Sequence, residues 1–417
     1  MRKSVHPSNV EGGVKAPPSK SVMQRLTAAA LLAEGGTTRI RNPSFCDDAM
    51  AALRVAGELG AAIQATLAEV VIQGGLRPRG RELDCGESGL CLRLFTAIAA
   101  LRPEELVLSG RGSLLRRPVD MAERPLRDLG ASCQTENGFP PVRVRGPLSG
   151  GTAFVDGSTS SQFLSGLLMA LPLAWRDSRL VVKNLRSRPY VGMTLEVLAG
   201  CGIEVRNADY EEFVIRGGQA YAPGDFEVEG DWSAAAALLV AGAIGGKLRV
   251  SGLRRDSIQA DRRVLGALGA AGAPVKVFED GAVVEKSELR AFSFDATDAP
   301  DLLPPLVALA CHCAGTSSLA GASRLRQKES DRAAALAEEF GRLGARISVE
   351  GDVIEVRGGL LAGGEVHSRG DHRIAMALAA AALAARGPVA IDGAECVAKS
   401  YPRFFEDLAS VGGRIDE

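Results

Sequence analysis

Apolar and polar positions along this chain fall into a pattern that returns six times. Each return opens on a short polar or glycine-marked motif. An alanine- and leucine-rich helix follows. Next come a glycine turn, a short β-branched strand, a second helix and a closing strand or hairpin. The opening motifs are Ser19-Lys20-Ser21, Gly86-Glu87-Ser88-Gly89, Ser158-Thr159-Ser160-Ser161-Gln162, Gly230-Asp231-Trp232-Ser233, Ala299-Pro300-Asp301 and Gly370-Asp371-His372-Arg373. The first helices are predicted over 22–33, 92–100, 163–171, 234–244, 302–313 and 374–385. The second helices end near Leu59-Gly60-Ala61, Leu129-Gly130-Ala131, Gly200-Cys201-Gly202, Ala271-Gly272-Ala273, Leu343-Gly344-Ala345 and Val411-Gly412-Gly413. Glycine there suits a left-handed helix C-cap.

The period is roughly 65–75 residues, longer than the about 20–50 residues of a solenoid repeat. Such a unit is a small α/β layer that cannot bury its faces alone, so units must pack together. Alanine-rich first helices can approach closely and belong inside, with strands and second helices outside. Six units over 417 residues predict two domains of three. One spans 19–227; the other is discontinuous, 1–18 plus 228–417. The sixth repeat reaches Glu417 without its closing strands, and the segment 4–14 is expected to supply them. The chain would cross near Ala16-Pro17-Pro18 and Val228-Glu229-Gly230. Two crossings make a hinge, and a cleft between such domains is a usual ligand site.

Charge changes the picture by exclusion. The 49 Lys and Arg nearly cancel 50 Asp and Glu, and aromatic residues are 5%. Neither a nucleic-acid nor an acidic-membrane partner is indicated. Eight scattered cysteines form no CxxC pair and read as reduced thiols. Cys311-His312-Cys313 lies in an apolar run and reads as core. No apolar segment follows the N-terminal Met1-Arg2-Lys3, and the longest apolar helices are short and alanine-rich. The expectation is a cytoplasmic monomer. No GxGxxG, Walker loop or metal-ligand spacing is present, so no cofactor or metal is expected.

The candidate chemistry gathers at helix starts. Arg324-Leu325-Arg326-Gln327-Lys328-Glu329-Ser330-Asp331-Arg332 holds four cations, and Ala333, Leu336, Phe340 and Leu343 then share one helix face. Glu329 and Arg332 are three apart and would be neighbours if both are helical. Lys20, Ser21 and Arg25 stand at another start, where the dipole adds to an anion site. Glycines in Gly86-Glu87-Ser88-Gly89 admit a ligand close to backbone N–H groups, with Arg93 inside the helix that follows. Arg116-Arg117-Pro118 and Ser187-Arg188-Pro189-Tyr190 follow strands in equivalent positions, as does Lys399. The hydroxyls of 158–161 exceed what one cap needs. If the repeats are related by rotation, Lys20, Arg25, Arg117, Lys328, Arg332, Arg373 and Lys399 converge, with Asp301 and Glu329 among them. That predicts polyanionic small ligands and carboxylates tuned for proton transfer.

These motifs, in this order, resemble the 3-phosphoshikimate 1-carboxyvinyltransferase (5-enolpyruvylshikimate-3-phosphate synthase) family of enolpyruvyl transferases. The likeness runs through Pro18-Ser19-Lys20-Ser21 with Arg25, Arg117-Pro118, Ser160-Ser161-Gln162, Ser187 with Tyr190, Pro300-Asp301, Lys328-Glu329-Ser330-Asp331-Arg332, Asp371-His372-Arg373 and Ala398-Lys399. It implies an α/β fold, a two-lobed inverse α/β barrel of βαβαββ repeats, and transfer of enolpyruvyl from phosphoenolpyruvate to shikimate 3-phosphate. It also implies roles. Lys20, Ser21, Arg25, Ser160, Ser161, Gln162, Ser187, Tyr190, Asp301 and Lys328 would hold shikimate 3-phosphate. Lys20, Gly89, Arg117, Gln162, Arg332, Arg373 and Lys399 would hold phosphoenolpyruvate. Asp301, Glu329 and Lys20 would move protons. Glu87 and Arg324 stand where the family often has asparagine. The related transferase acting on UDP-N-acetylglucosamine usually carries a loop cysteine near its pocket; here the cysteine closest in sequence to Arg117 is Cys133, at the end of a second helix. A non-catalytic anion-binding protein on the same scaffold would not need Asp301 and Glu329.

Overall fold

The computed structural model describes residues 1–158 and 160–417. Contacts divide the chain into two units: a contiguous one, Pro18–Val228, and a split one, Met1–Pro17 with Glu229–Glu417. The described strands form six four-stranded sheets. The second repeat shows the plan. Strand Glu82–Asp84 leads into helix Gly89–Ala99, which crosses to the parallel strand Leu106–Ser109. Helix Glu123–Asp128 then leads to strands Ser132–Glu136 and Phe139–Arg145, and the latter pairs antiparallel with Leu106–Ser109. Period-two alternation buries Val142 and Val144 while Arg143 and Arg145 face out.

The first helices are buried along nearly their whole length. Every residue of Gly89–Ala99 and His372–Ala382 is buried, and every residue of Trp232–Gly245 except Ser233. Small residues allow the approach: a Cβ on Gly166 would lie 2.8 Å from the Arg93 carbonyl oxygen of the neighbouring helix. The second helices bury one stripe. In Arg332–Arg342, Ala333, Leu336 and Phe340 face inward, and Leu343 beyond its end is buried as well. All six predicted glycine caps have positive φ, from +74° at Gly202 to +123° at Gly60.

Two expectations change. Five of the first helices begin one to three residues earlier than their apolar runs, at Lys20, Gly89, Gln162, Trp232 and His372, and the fifth repeat's begins at Leu303 after a short turn of 3-10 helix, Pro300–Leu302. Ser19, Ser88, Asp231 and Asp371 accept bonds from helix N–H groups and so set the start ahead of the apolar run. The polar motif residues therefore occupy the first helical turns. The N-terminal segment also serves two sheets. Arg2–His6 pairs antiparallel with Val389–Asp392 and with Arg414–Asp416, a closing strand the sixth repeat supplies itself. Pro7, lacking an N–H, ends that ladder. Val10–Lys15 then joins the fourth repeat, parallel to Gly246–Ser251. Reciprocally, Asp225–Glu227 completes the first repeat beside Thr37–Arg41.

Candidate active site

In the contiguous unit the three helix starts are joined by polar side chains. Lys20 Nζ lies 3.1 Å from Asp48 Oδ2, an acid in the first turn of helix Asp47–Glu58. Gln24, one turn further along, accepts from the Ser88 hydroxyl at 3.1 Å. Arg93 donates to Gln162 Oε1 and to the Pro118 carbonyl, both at 2.7 Å. Arg25 donates to Thr194 Oγ1 (2.8 Å) and to the Ser21 and Tyr190 carbonyls (2.8 and 2.9 Å). Thr194 donates in turn to Ser165 Oγ on helix Gln162–Ala170. The bonds therefore run from the first helix to the second, to the third, and back. Burial pushes the Arg25 guanidinium down to about 10, against the pull of Tyr190.

Gly89 has a definite steric role. A Cβ there would fall 2.7 Å from the Arg117 guanidinium carbon, so glycine lets Arg117 lie over the start of helix Gly89–Ala99. Glu87 is turned to the neighbouring turn, where its Oε2 accepts from the Ser113 N–H (3.2 Å) and hydroxyl (3.0 Å). Its carboxylate fits beside Gly112, at φ +57°, whose Cβ would overlap it at 2.5 Å. That turn, Gly112–Arg116, runs directly into Arg117. Ser160 Oγ accepts from the Gln162 N–H, Ser161 is buried at the same helix start, and Thr159 of this motif lies outside the described residues. Ser187 sits at φ +59° ahead of helix Arg188–Gly200.

The split unit is ionic. Arg332, 1% exposed, meets three carboxylates: Nε with Asp371 Oδ2 at 2.7 Å, one terminal nitrogen with Asp301 Oδ1 at 2.8 Å, the other with Glu329. Asp301 also takes Lys328 Nζ at 3.3 Å and, through Oδ2, Arg373 at 3.0 Å. Arg373 reaches the Ser233 carbonyl at 3.3 Å, so all three helix starts are linked here too. Lys399 Nζ donates to the Gly370 carbonyl at 2.9 Å. Burial disfavours the Arg332 charge, but Asp371, Glu329 and Asp301 outweigh it and raise its pKa. Arg373 is raised in the same way, burial being outweighed by Asp301 with help from Asp261 and Asp231. Lys328 goes the other way. Burial pushes it down to about 8, with Arg332 and Arg324 lowering it further against Asp301 and Glu329.

The structure thus groups Lys20, Ser21, Arg25, Gly89, Arg117, Ser160, Ser161, Gln162, Ser187 and Tyr190 at the helix starts of one unit. It groups Asp301, Lys328, Glu329, Arg332, Arg373 and Lys399 in the other. Glu329 reaches Arg332 from outside the helix, which begins at Arg332 with Asp331 as its N-cap, so the pair is not one of helical neighbours. Sequence reading left Asp48, Arg93 and Asp371 without a site role. Arg93 and Asp371 carried a signal, a charge inside or opening an otherwise apolar helix. Among the described residues no three His, Cys, Asp or Glu side chains group as a metal site. His312 bonds the Ala381 carbonyl through Nε2 at 3.1 Å, and burial pushes it down to about 4.

Comparison with known proteins settles the kinship. The sequence profile of EPSP synthase (3-phosphoshikimate 1-carboxyvinyltransferase) matches residues 5–408. The chain belongs to the EPSP synthase family. A 3-phosphoshikimate 1-carboxyvinyltransferase from Aeropyrum pernix is 42% identical over 414 residues, 99% of this chain and 96% of that protein. One from Clostridium kluyveri is 39% identical over 418 residues, covering 99% and 98%. Among solved structures, EPSP synthase from Acinetobacter baumannii superposes with a TM-score of 0.84 at 28% identity, over 100% of this chain and 99% of that one. The two-domain α/β fold is that of the EPSP synthase family.

Proposed function

We propose that the two groups of helix-start side chains described above bind phosphoenolpyruvate and shikimate 3-phosphate and move the protons of enolpyruvyl transfer between them. As a member of the EPSP synthase family the chain is a transferase of the shikimate pathway, acting towards the aromatic amino acids. The observation that supports the residue assignment is the cluster around Arg332, where Asp301 and Glu329 share one buried guanidinium with Asp371. Binding of phosphates alone would be weakened by carboxylates in a cationic site; proton transfer needs them.

Shikimate 3-phosphate is held by Ser21, Arg25, Ser160, Ser161, Gln162, Ser187, Tyr190 and Lys328. Phosphoenolpyruvate is held by Lys20, Arg117, Gln162, Arg332, Arg373 and Lys399. Gly89 contributes by leaving space for Arg117. The 5-hydroxyl oxygen attacks C2 of phosphoenolpyruvate while Asp301 accepts its proton and Glu329 delivers a proton to the C3 methylene. In the tetrahedral adduct, Glu329 takes a proton back from the new methyl group. The C2–O bond to phosphate breaks, the C2=C3 double bond re-forms, and phosphate leaves against the cations, carrying the proton that Asp301 accepted, with Lys20 assisting the proton traffic. The cations stabilise charge that moves onto the departing phosphate. The enzyme works as a cytoplasmic monomer on these two small anions, without nucleic acid or membrane. In support, the charge balance is even, and among the described residues no helix is long and apolar enough to cross a membrane.

Phosphate release tests the reading, with phosphoenolpyruvate and either shikimate 3-phosphate or UDP-N-acetylglucosamine. Release only with shikimate 3-phosphate, lost in Glu329→Gln, is expected. Release with the sugar nucleotide instead would overturn the acceptor, and full activity in Glu329→Gln would overturn the proton assignment.

A further inference from the structure

Helix Arg332–Arg342 carries a second buried charge that the proposed mechanism does not use. Glu339 is 0% exposed, and it lies seven residues from Arg332, two helical turns along the same face. Both residues reach the segment 367–371, with opposite polarity. Arg332 Nε holds Asp371 at 2.7 Å. Glu339 Oε1 accepts from Arg369 Nε at 2.6 Å, and its Oε2 accepts from the His367 N–H at 2.9 Å, with Arg342 Nε 3.5 Å away. One helix face thus presents plus then minus to a segment that presents minus and plus.

The held segment is a tight turn in an unfavourable backbone state. Arg369 has φ +56°, a left-handed conformation that a residue with a Cβ adopts only when its surroundings hold it there. Gly370 follows at φ +68°. The turn's own bonds are short-range: Arg369 N–H to His367 Nδ1 at 2.7 Å, Gly370 N–H to Ser368 Oγ at 3.1 Å, Asp371 N–H to the Ser368 carbonyl at 2.9 Å. What the turn delivers is the Gly370 carbonyl that receives Lys399, the Asp371 carboxylate that receives Arg332, and Arg373 itself. Every one of these leads to a cation assigned to phosphoenolpyruvate.

We infer that Glu339 and Arg369 form a positioning pair that fixes the 367–371 turn and thereby the phosphoenolpyruvate-binding cations Arg332, Arg373 and Lys399. This rests on the functional reading given above. Neither residue is among the substrate-binding groups proposed above; the pair acts through the backbone of the turn.

The test is steady-state phosphate release with each substrate varied separately, in wild type, Glu339→Gln, Arg369→Gln and the double variant. Arg369 keeps 38% of its side chain exposed, so its replacement leaves the core intact even where Glu339→Gln lowers Tm. Misplaced binding groups raise the KM for phosphoenolpyruvate by roughly tenfold or more in each single variant. The KM for shikimate 3-phosphate stays within about twofold, and the double variant is no worse than Glu339→Gln because the two act as one unit. An unchanged KM for phosphoenolpyruvate in Arg369→Gln overturns the inference. So does an equal rise in both KM values, which is what a merely structural pair would give. Wild-type protein that releases no phosphate at all overturns the functional reading itself, and the pairing with it.

Discussion

The two units solve one problem with different chemistry. Each brings three helix starts together. In the contiguous unit Arg25 and Arg93 donate to hydroxyl, amide and carbonyl oxygens of neighbouring elements. In the split unit Arg332 and Arg373 are tied to Asp301, Glu329 and Asp371. Dipoles bonded in fixed directions make a cradle whose shape persists whatever ligand enters. Ion pairs make a cluster whose charge can be redistributed, since an entering anion competes with the internal carboxylates for the same cations. On the proposed function, recognition of shape falls mainly to the contiguous unit and proton handling mainly to the split one, with Lys20 and Lys328 as the exceptions.

Breaking the ionic unit at the proton donor proposed for it should give the largest effect. Glu329→Gln is expected to lower kcat by about 10²–10⁴-fold, the usual share of acid–base catalysis, while binding of both substrates by calorimetry survives. Full loss of binding instead would place Glu329 among the ligands. Next comes Arg332→Met, which strands the fully buried Asp371. Removing one partner of a buried pair costs about 3–5 kcal/mol, seen as a lower denaturation midpoint. The matching change in the contiguous unit, Arg25→Met, leaves the Ser21 and Tyr190 carbonyls short of a donor and should cost about 1–3 kcal/mol. Equal losses for the two would erase the distinction.

The smallest effect is in pH. Lys328 is pushed down to about 8 from its ordinary 10.5, so its charge is present below that pH and lost above it. Affinity for shikimate 3-phosphate should fall as pH rises through about 8, by up to roughly tenfold per unit, and Lys328→Arg should flatten that step. Stability responds with the opposite sign. Between about 8 and 10.5 the unfolded chain binds more protons than the folded one, so this group's contribution to stability rises with pH.

Much of this was legible in the sequence because it is local. The six apolar runs, their glycine caps and the polar motifs at helix starts are read within a few residues. Even the helix starts were displaced for a local reason, since Ser19, Ser88, Asp231 and Asp371 were grouped with the motifs they cap. The choice of partner was not legible. Ser88 meets Gln24 across 64 positions, Arg93 meets Gln162 across 69, and Arg369 meets Glu339 across 30. Helical spacing puts Glu339 on the face of Leu336 and Leu343 and Glu338 off it, but a carboxylate on an apolar face carries no sign of which cation it meets. The split of the N-terminal segment between two sheets was hidden likewise, because a strand of five residues carries no record of its distant partners.

Those exchanged strands bear on how the chain is made. Val10–Lys15 leaves the ribosome early, yet its neighbour Gly246–Ser251 comes only after the whole contiguous unit. Arg2–His6 waits longer still, until Val389–Asp392 is synthesised. At about 5–20 residues per second that is tens of seconds. During that interval the unit 18–228 can already close, because its own late strand, Asp225–Glu227, completes its first sheet. At that stage the contiguous unit holds the strands of its own sheets while 2–15 still lacks its partners, so a lesion in 2–15 strikes the unit completed last.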